Sequence, residues 1–355
     1  MNRVRRHCAL IIILCSLLVP ACSEQTKRPG PKFTGRLLLL NGGDGNGSDL
    51  VELTAAPTGS TYNLATIASG ILDATASADQ TQLLYSTKNE ILLRDLRSGA
   101  IKSITKGEDF CLAWAPDGRH FSFKQQEGSA TKIFVSDLDG KTKLIWEDKI
   151  PASSYCPHWV APDRLVLDRF GGAMTKQVGG EQIKPNTLTL ATVGDSVKFV
   201  DAERKWSIQG ACPAGAVILT PADQAQPTFI AARLDQFQKL NPTPGPSEGR
   251  FVGFAAKSCV PFFLQQSTSN TTDVFYLNPT NWQRQRGASI EQTFSPSARV
   301  LVKSSARLMI VGDGPALLIL VDTDSGDVTS FFPKPEAGAA TGSLKSPVPV
   351  VWIEN

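Results

Sequence analysis

An all-β fold made of repeated four-stranded units is the architecture this sequence predicts, and three observations predict it. Aromatic and β-branched residues are spread along the chain, Gly and Pro are frequent (29 and 23 of 355 residues), and long helix-period stretches are missing. Two segments, residues 71–104 and 109–145, share one order: short strand, Asp turn, alternating strand, hairpin, alternating strand, Gly turn, final strand. The pairs Ser98-Gly99 and Asp139-Gly140 supply the positive φ that a tight hairpin needs. Four strands in a unit of about 40 residues is the pattern of a propeller blade.

The other units follow more loosely. The clearest is Trp114-Ala115-Pro116-Asp117-Gly118, followed by Phe121 and Phe123. Ala76-Ser77-Ala78-Asp79 lacks the aromatic and the proline, and Trp159-Val160-Ala161-Pro162-Asp163 carries one extra residue. Phe294-Ser295-Pro296-Ser297 leads into another strand, and Asp324-Ser325-Gly326 repeats the hairpin. Weaker units centre near Cys212 and Phe254. Trp352-Ile353-Glu354-Asn355 matches the start of a unit, and residues 36–62 look like the rest of one. Pairing the C-terminal strand with N-terminal strands would remove an exposed sheet edge. The anchors then fall near 76, 114, 159, 212, 254, 294 and 352, which gives seven blades with a composite last one. Spacings from 38 to 58 residues leave six or eight blades open.

The aromatic-Ala-Pro-Asp-Gly element followed by an alternating strand resembles the TolB-like, WD40-like propeller repeat. That resemblance implies a β-propeller of the cell envelope that docks other envelope components. BamB-like outer-membrane assembly factors offer a second lipidated propeller architecture, although the stretches at Arg94–Ser103 and Val321–Ser330 lack that family's tryptophan.

Arg3, Arg5 and Arg6 precede an apolar run from Ala9 to Val19, which ends in Val19-Pro20-Ala21-Cys22-Ser23. A basic start, a short apolar stretch and a small residue before the cut describe a secretory signal peptide over residues 1–21. The run is well short of the roughly 20 residues needed to span a bilayer. A cysteine just after the cut resembles the lipobox of bacterial lipoproteins, which implies lipidation of Cys22. An ordinary cleaved signal with a free cysteine nearby is the alternative. By the usual sorting rule of such lipoproteins, Ser23 rather than Asp after the cysteine implies the periplasmic face of the outer membrane. Residues 22–34 are polar with two prolines and read as a tether, and residues 35–355 as the propeller domain.

The three arginines of the leader account for the whole formal charge of +3. Nothing basic then remains to suggest nucleic-acid binding. Of seven cysteines, Cys8 and Cys15 leave with the leader and Cys22 is the lipid acceptor. Four remain in an exported chain, where disulfides are favoured and buried free thiols are the alternative. Cys111 and Cys156 each lie three residues before a unit's tryptophan. In a propeller both then sit on innermost strands of adjacent blades, within disulfide reach. Cys212 and Cys259 are out of phase with that frame and pair by elimination.

Catalytic chemistry is thinly represented. Only His120 and His158 survive removal of the leader, and two isolated histidines disfavour a Ser-His-Asp triad or a multi-histidine metal centre. His120 follows the Asp117 turn and is expected to face solvent; His158, beside Trp159, is expected to line the axis. The segment Asp44–Asp49 has oxygen ligands between glycines, but its twelfth position is Ala55 where a calcium loop needs Glu, so a hairpin turn explains it. No metal or cofactor is expected. The recurring Asp79, Asp117 and Asp163 are read as turn caps, and Trp114, Trp159 and Trp352 as packing aromatics.

The expectation is therefore a non-catalytic, monomeric, lipid-anchored scaffold that binds an envelope protein, with His158, Trp159, Asp109 and Glu291 as axial-face candidates. The alternative is a small-molecule or glycan binder, or an enzyme using axial acids such as Asp109, Glu291 and Glu354.

Overall fold

The computed structural model describes residues 33–42, 47–55, 62–106, 109–128, 130–148, 156–168, 176–178, 181–183, 188–192, 197–201, 206–213, 216–221, 230–233, 241–244, 249–255, 258–294, 298–303, 307–311, 318–331 and 347–353. The leader, Cys22, the tether up to residue 32, Asp44–Asn46 and Glu354 lie outside them. The chain forms strands in the following order. The first three are β1 (Arg36–Asn41), β2 (Ser48–Ala55) and β3 (Tyr62–Ile71). Next come β4 (Asp73–Ala76), β5 (Gln82–Ser86), β6 (Glu90–Asp95) and β7 (Ile101–Lys106). They are followed by β8 (Asp109–Trp114), β9 (His120–Glu127), β10 (Ala130–Asp137) and β11 (Thr142–Asp148). Strands β12 (His158–Ala161) and β13 (Arg164–Asp168) precede a small hairpin, β14 (Lys176–Val178) and β15 (Glu181–Ile183). Then β16 (Leu188–Thr192) and β17 (Val197–Asp201) complete that sheet. Strands β18 (Trp206–Ala211), β19 (Ala216–Pro221), β20 (Ile230–Arg233) and β21 (Asn241–Pro244) follow. The last regions are β22 (Arg250–Phe254), β23 (Pro261–Thr268), β24 (Thr271–Leu277) and β25 (Arg284–Ile290). They lead to β26 (Arg299–Val302), β27 (Arg307–Val311), β28 (Leu318–Asp322), β29 (Val328–Phe331) and β30 (Val348–Ile353).

These strands form seven four-stranded antiparallel sheets and the two-stranded hairpin. Six of the seven are continuous in sequence apart from the hairpin insertion. The seventh is ordered β3-β2-β1-β30, so the C-terminal strand pairs with the N-terminal ones and Leu37 stands opposite Trp352. The first strands β4, β8, β12, β18, β22, β26 and β30 contact one another in that cyclic order, with β30 returning to β4.

Hydrophobic burial follows a strand's place within its sheet. The second strand is covered on both faces: Leu37, Leu38, Leu39 and Leu40 are all buried in β1, and Leu83, Leu84 and Tyr85 in β5. Such strands read as continuous apolar runs rather than as alternation. Outermost strands such as β7 face solvent along most of their length. The cores therefore lie between neighbouring sheets. Leu84, Ile91 and Leu93 meet Leu112, Phe121 and Phe123 in one such layer, and Val260, Phe262 and Val274 meet Ile319 and Val321 in another. Each large side chain fully removed from water contributes about 1.5–3 kcal/mol.

Turn chemistry repeats with the sheets. Asp95, Asp137 and Asp322 each accept two backbone N–H groups across a hairpin closed by Gly99, Gly140 or Gly326. All three glycines have positive φ. Between first and second strands, Asp79 accepts the Thr81 N–H and Asp117 those of Arg119 and His120. His120 is part-exposed, with Nδ1 2.6 Å from Asp117 Oδ2.

The structure corrects the sequence reading in one unit. The first strand of the sixth continuous sheet is β26, beginning at Arg299, so its turn follows Val302 rather than Phe294. Phe294 packs as a half-buried side chain against the layer between β22–β25 and β26–β29. Its aromatic-Ser-Pro-Ser sequence imitates the repeat, but Phe294 precedes the first strand of its sheet instead of ending it.

Candidate functional site

The recurring tryptophans join neighbouring sheets. Trp114 Nε1 donates to the Thr75 carbonyl of β4 at 3.0 Å, and Trp159 Nε1 donates to the Ala113 carbonyl of β8 at 3.0 Å. Trp352 Nε1 donates to the Thr34 carbonyl at 2.8 Å, within the composite sheet. These indole N–H groups are thus committed to the backbone, and Trp159 and Trp352 are buried. They pack between strands, and none of these three indole donors is left to orient a ligand. A second inter-sheet clasp is Asp73, whose Oδ2 accepts the Leu112 N–H at 2.7 Å. Burial raises the Asp73 pKa above the ordinary carboxylate range, against the opposing hydrogen bonds from Leu112, Ala74 and Cys111.

Both disulfides connect first strands or their turns in adjacent sheets. Cys111, at φ 58°, joins Cys156 with Cα atoms 5.2 Å apart; Cys212 joins Cys259 across 5.7 Å. The second pair is buried against Ala216, Phe254 and Trp282.

An open cavity of about 520 Å³ lies where the C-terminal ends of β4, β8, β18 and β22 converge with the start of β12. Its walls include Thr75, Trp114, His158, Gln209, Phe251 and Phe254. Among the described residues that line it, none is Asp, Glu, Lys or Arg. Desolvation pushes His158 down to about 4, so the ring is neutral at neutral pH. Gln209, one of the few polar side chains of the lining, donates from Nε2 to Thr220 Oγ1 at 3.0 Å.

Register shifts shape this wall. The first strands β8, β12, β18 and β22 each carry one against their second strand, at Phe110/Ala113, Trp159/Ala161, Ile208/Gly210 and Phe251/Gly253. A bulge re-aims the side chains beyond it and interrupts strict alternation. At β18 a Cβ on Gly210 would lie 2.6 Å from Phe251 Cε1, so only glycine lets that ring close against the backbone.

Of the four residues expected on the axial face, His158 and Trp159 line the cavity. Asp109 begins β8 opposite Gln125, at the far end of the strand from Trp114, and its side chain lies outside the described residues. Glu291 is exposed just beyond β25, the outermost strand of its sheet, and the cavity does not include it. Sequence reasoning overlooked Gln209, Phe251 and Phe254. Their units were visible only as weak repeats, and their direction depends on the bulges. Among the described residues, no group of three or more His, Cys, Asp or Glu side chains is arranged to hold a metal ion.

No protein-family model matches the chain, and no curated protein matches it in sequence. Solved structures do match in fold. The acylaminoacyl peptidase of Pyrococcus horikoshii aligns with a TM-score of 0.56 and 10% identity, covering 84% of this chain; the chain spans about half (50%) of that enzyme's length. The periplasmic gluconolactonase PpgL of Pseudomonas aeruginosa aligns with a TM-score of 0.53 and 13% identity, covering 90% of this chain and 100% of that one. An oligogalacturonate lyase in complex with manganese gives 0.52 and 13%, covering 84% and 85%. TolB from Acinetobacter baumannii also matches, at a TM-score of 0.42 and 13% identity, over 90% of this chain and 67% of that one. At such identities the likeness of the three with TM-scores above 0.5 concerns the fold alone, and that fold is the β-propeller.

Proposed function

We propose that this chain is a lipid-anchored, non-catalytic propeller of the bacterial cell envelope that binds a protein partner at the axial cavity. In this reading the seven four-stranded sheets are the blades of a closed ring, with the β1–β3 and β30 sheet as the composite blade. Residues 1–21 are the signal peptide, Cys22 carries the lipid, and the protein stands as a monomer on the periplasmic face of the outer membrane.

The observation that carries the proposal is the chemistry of the cavity. Its aromatic walls are uncharged and its one histidine is neutral. General acid–base or glycoside chemistry needs positioned groups with matched pKa values, such as paired carboxylates. Here Glu291 stands outside the cavity, and Asp109 begins β8 at the far end of that strand from the cavity residue Trp114. Recognition by shape and apolar contact needs no such groups.

A small-molecule ligand is the second reading, favoured by a volume inside the range of about 300–1,000 Å³ common to such sites. Cross-linking of intact cells expressing the full chain, then purification from detergent-solubilised envelopes, separates the two. One stoichiometric envelope protein is the expected result. A solitary protein carrying a co-purifying small molecule would overturn the first reading in favour of the second.

A further inference from the structure

We infer that the cavity-bearing end of the propeller is turned toward the membrane that holds the anchor, and that its occupant is an uncharged apolar segment of a protein resident in that same membrane. The inference rests on the proposed lipidation of Cys22.

Its geometric basis is the place where the tether enters the fold. Phe33 stacks on Trp352 with ring centroids 5.9 Å apart, and Thr34 accepts the Trp352 indole N–H. Trp352 is paired with Leu37 near the start of β1, so the chain arrives at the C-terminal end of β30. Lys303, directly after β26, donates both to the Trp352 carbonyl and to Gln80 Oε1 at 2.8 Å. Gln80 belongs to the turn after β4, two residues from Ala78, which lines the cavity. One run of contacts therefore links the tether's entry to the cavity rim, all at the same end of the first strands.

Reach sets the rest. Ten residues separate Cys22 from Phe33. Fully extended they span about 35 Å, and less when relaxed. A lipid on Cys22 thus keeps Phe33 within about 35 Å of the headgroups, which favours the end of the propeller where Phe33 enters over the opposite end. Partners confined to that membrane meet the cavity at a raised effective concentration. The described lining residues carry no charge to pair a phosphate or carboxylate, which disfavours either as occupant. The chemistry left is an apolar side chain on an uncharged stretch of polypeptide.

Two exposed positions on one hairpin report the orientation. Arg119 lies in the turn beside the cavity residue Pro116, and Glu127 lies at the other end of β9, eight residues on. At about 3.3 Å per residue they differ in height by roughly 26 Å. The lipidated full-length chain, carrying a fluorescent amino acid at one position or the other, is bound to phosphatidylethanolamine–phosphatidylglycerol vesicles containing a headgroup quencher. Quenching several-fold stronger at Arg119 is expected. Equal quenching, or stronger quenching at Glu127, would overturn the orientation while leaving lipidation intact. A chain whose N-terminus carries no lipid by mass spectrometry would overturn both.

The occupant is tested in intact cells with a photoreactive amino acid at Pro116. An adduct to a membrane-resident protein is expected, with most of the yield lost when the leader is exchanged for a cleavable, non-lipidating one. Adducts to lipid alone, no adduct, or an unchanged yield from the released protein would each overturn it.

Discussion

The sheets β4–β7 and β8–β11 and the sheets β18–β21 and β22–β25 solve one packing problem with different residues. In the first region the solution is periodic. Trp114 is tied by its indole to the preceding sheet, Asp79 and Asp117 close the inner turns, and Phe121 and Phe123 fill the layer between sheets. In the second the tryptophan anchor and the Asp turn are gone. The Cys212–Cys259 bridge joins the inner turns instead, and Phe251, Phe254, Phe263 and Phe275 fill the layer. That region contributes Phe251 and Phe254 to the cavity wall, beside Trp114 and Trp159 of the periodic sheets.

The largest effects should be alike in the two regions. Phe121 and Phe263 are both fully buried, and Phe263 stacks on Phe275 with centroids 5.1 Å apart. Either residue changed to Ala is expected to cost about 3–5 kcal/mol in urea denaturation. A much smaller loss at Phe263 would show that the divergent sheets are loosely packed. Next come the disulfides. They span similar sequence separations, 45 and 47 residues, so replacing either pair by Ser should cost a similar 2–4 kcal/mol, approximately. Only loss of Cys212–Cys259, whose Cys212 lines the cavity, should also abolish partner co-purification.

Gly210→Ala tests the divergent wall alone. Its new Cβ meets the Phe251 ring, and a loss of about 1–3 kcal/mol with displacement of that ring is expected from thermal melts and a crystal structure. His158 should give the acid limb of the stability profile. Its folded pKa of about 4 lies below the ordinary 6.5, so as pH falls the unfolded chain takes up the proton first. Stability is then lost between those two values, by about 2 kcal/mol for this part-exposed ring, and the loss levels off below the lower one. His158→Gln should flatten that limb in denaturation measured from pH 7 to 4. A smaller effect is expected for Trp159→Phe, which keeps an aromatic ring but loses part of the buried side chain and the bond to the Ala113 carbonyl, costing about 1–2 kcal/mol.

The same comparison explains what could be read from the sequence. Turn chemistry is local, so the Asp and Gly pairs around Ser98-Gly99, Asp139-Gly140 and Asp324-Ser325-Gly326 were legible, as were Trp114, Trp159 and Trp352. The pairing of β30 with β1 was legible from the interrupted unit at each end of the chain. The unit near 294 was misplaced because Phe294-Ser295-Pro296-Ser297 copies an anchor by composition, while β26 starts later. Gln209, Phe251 and Phe254 were illegible because the register shifts at Ile208/Gly210 and Phe251/Gly253 set which way they point. An alternation rule cannot anticipate a bulge.

The central claim is that an uncharged axial cavity is the working surface. Gln209→Glu tests it most directly, because Gln209 is exposed and the change is isosteric yet places a carboxylate among uncharged walls. We expect the partner recovered from cross-linked envelopes to be lost while the melting temperature is unchanged. Full recovery of the partner with the variant would contradict the claim.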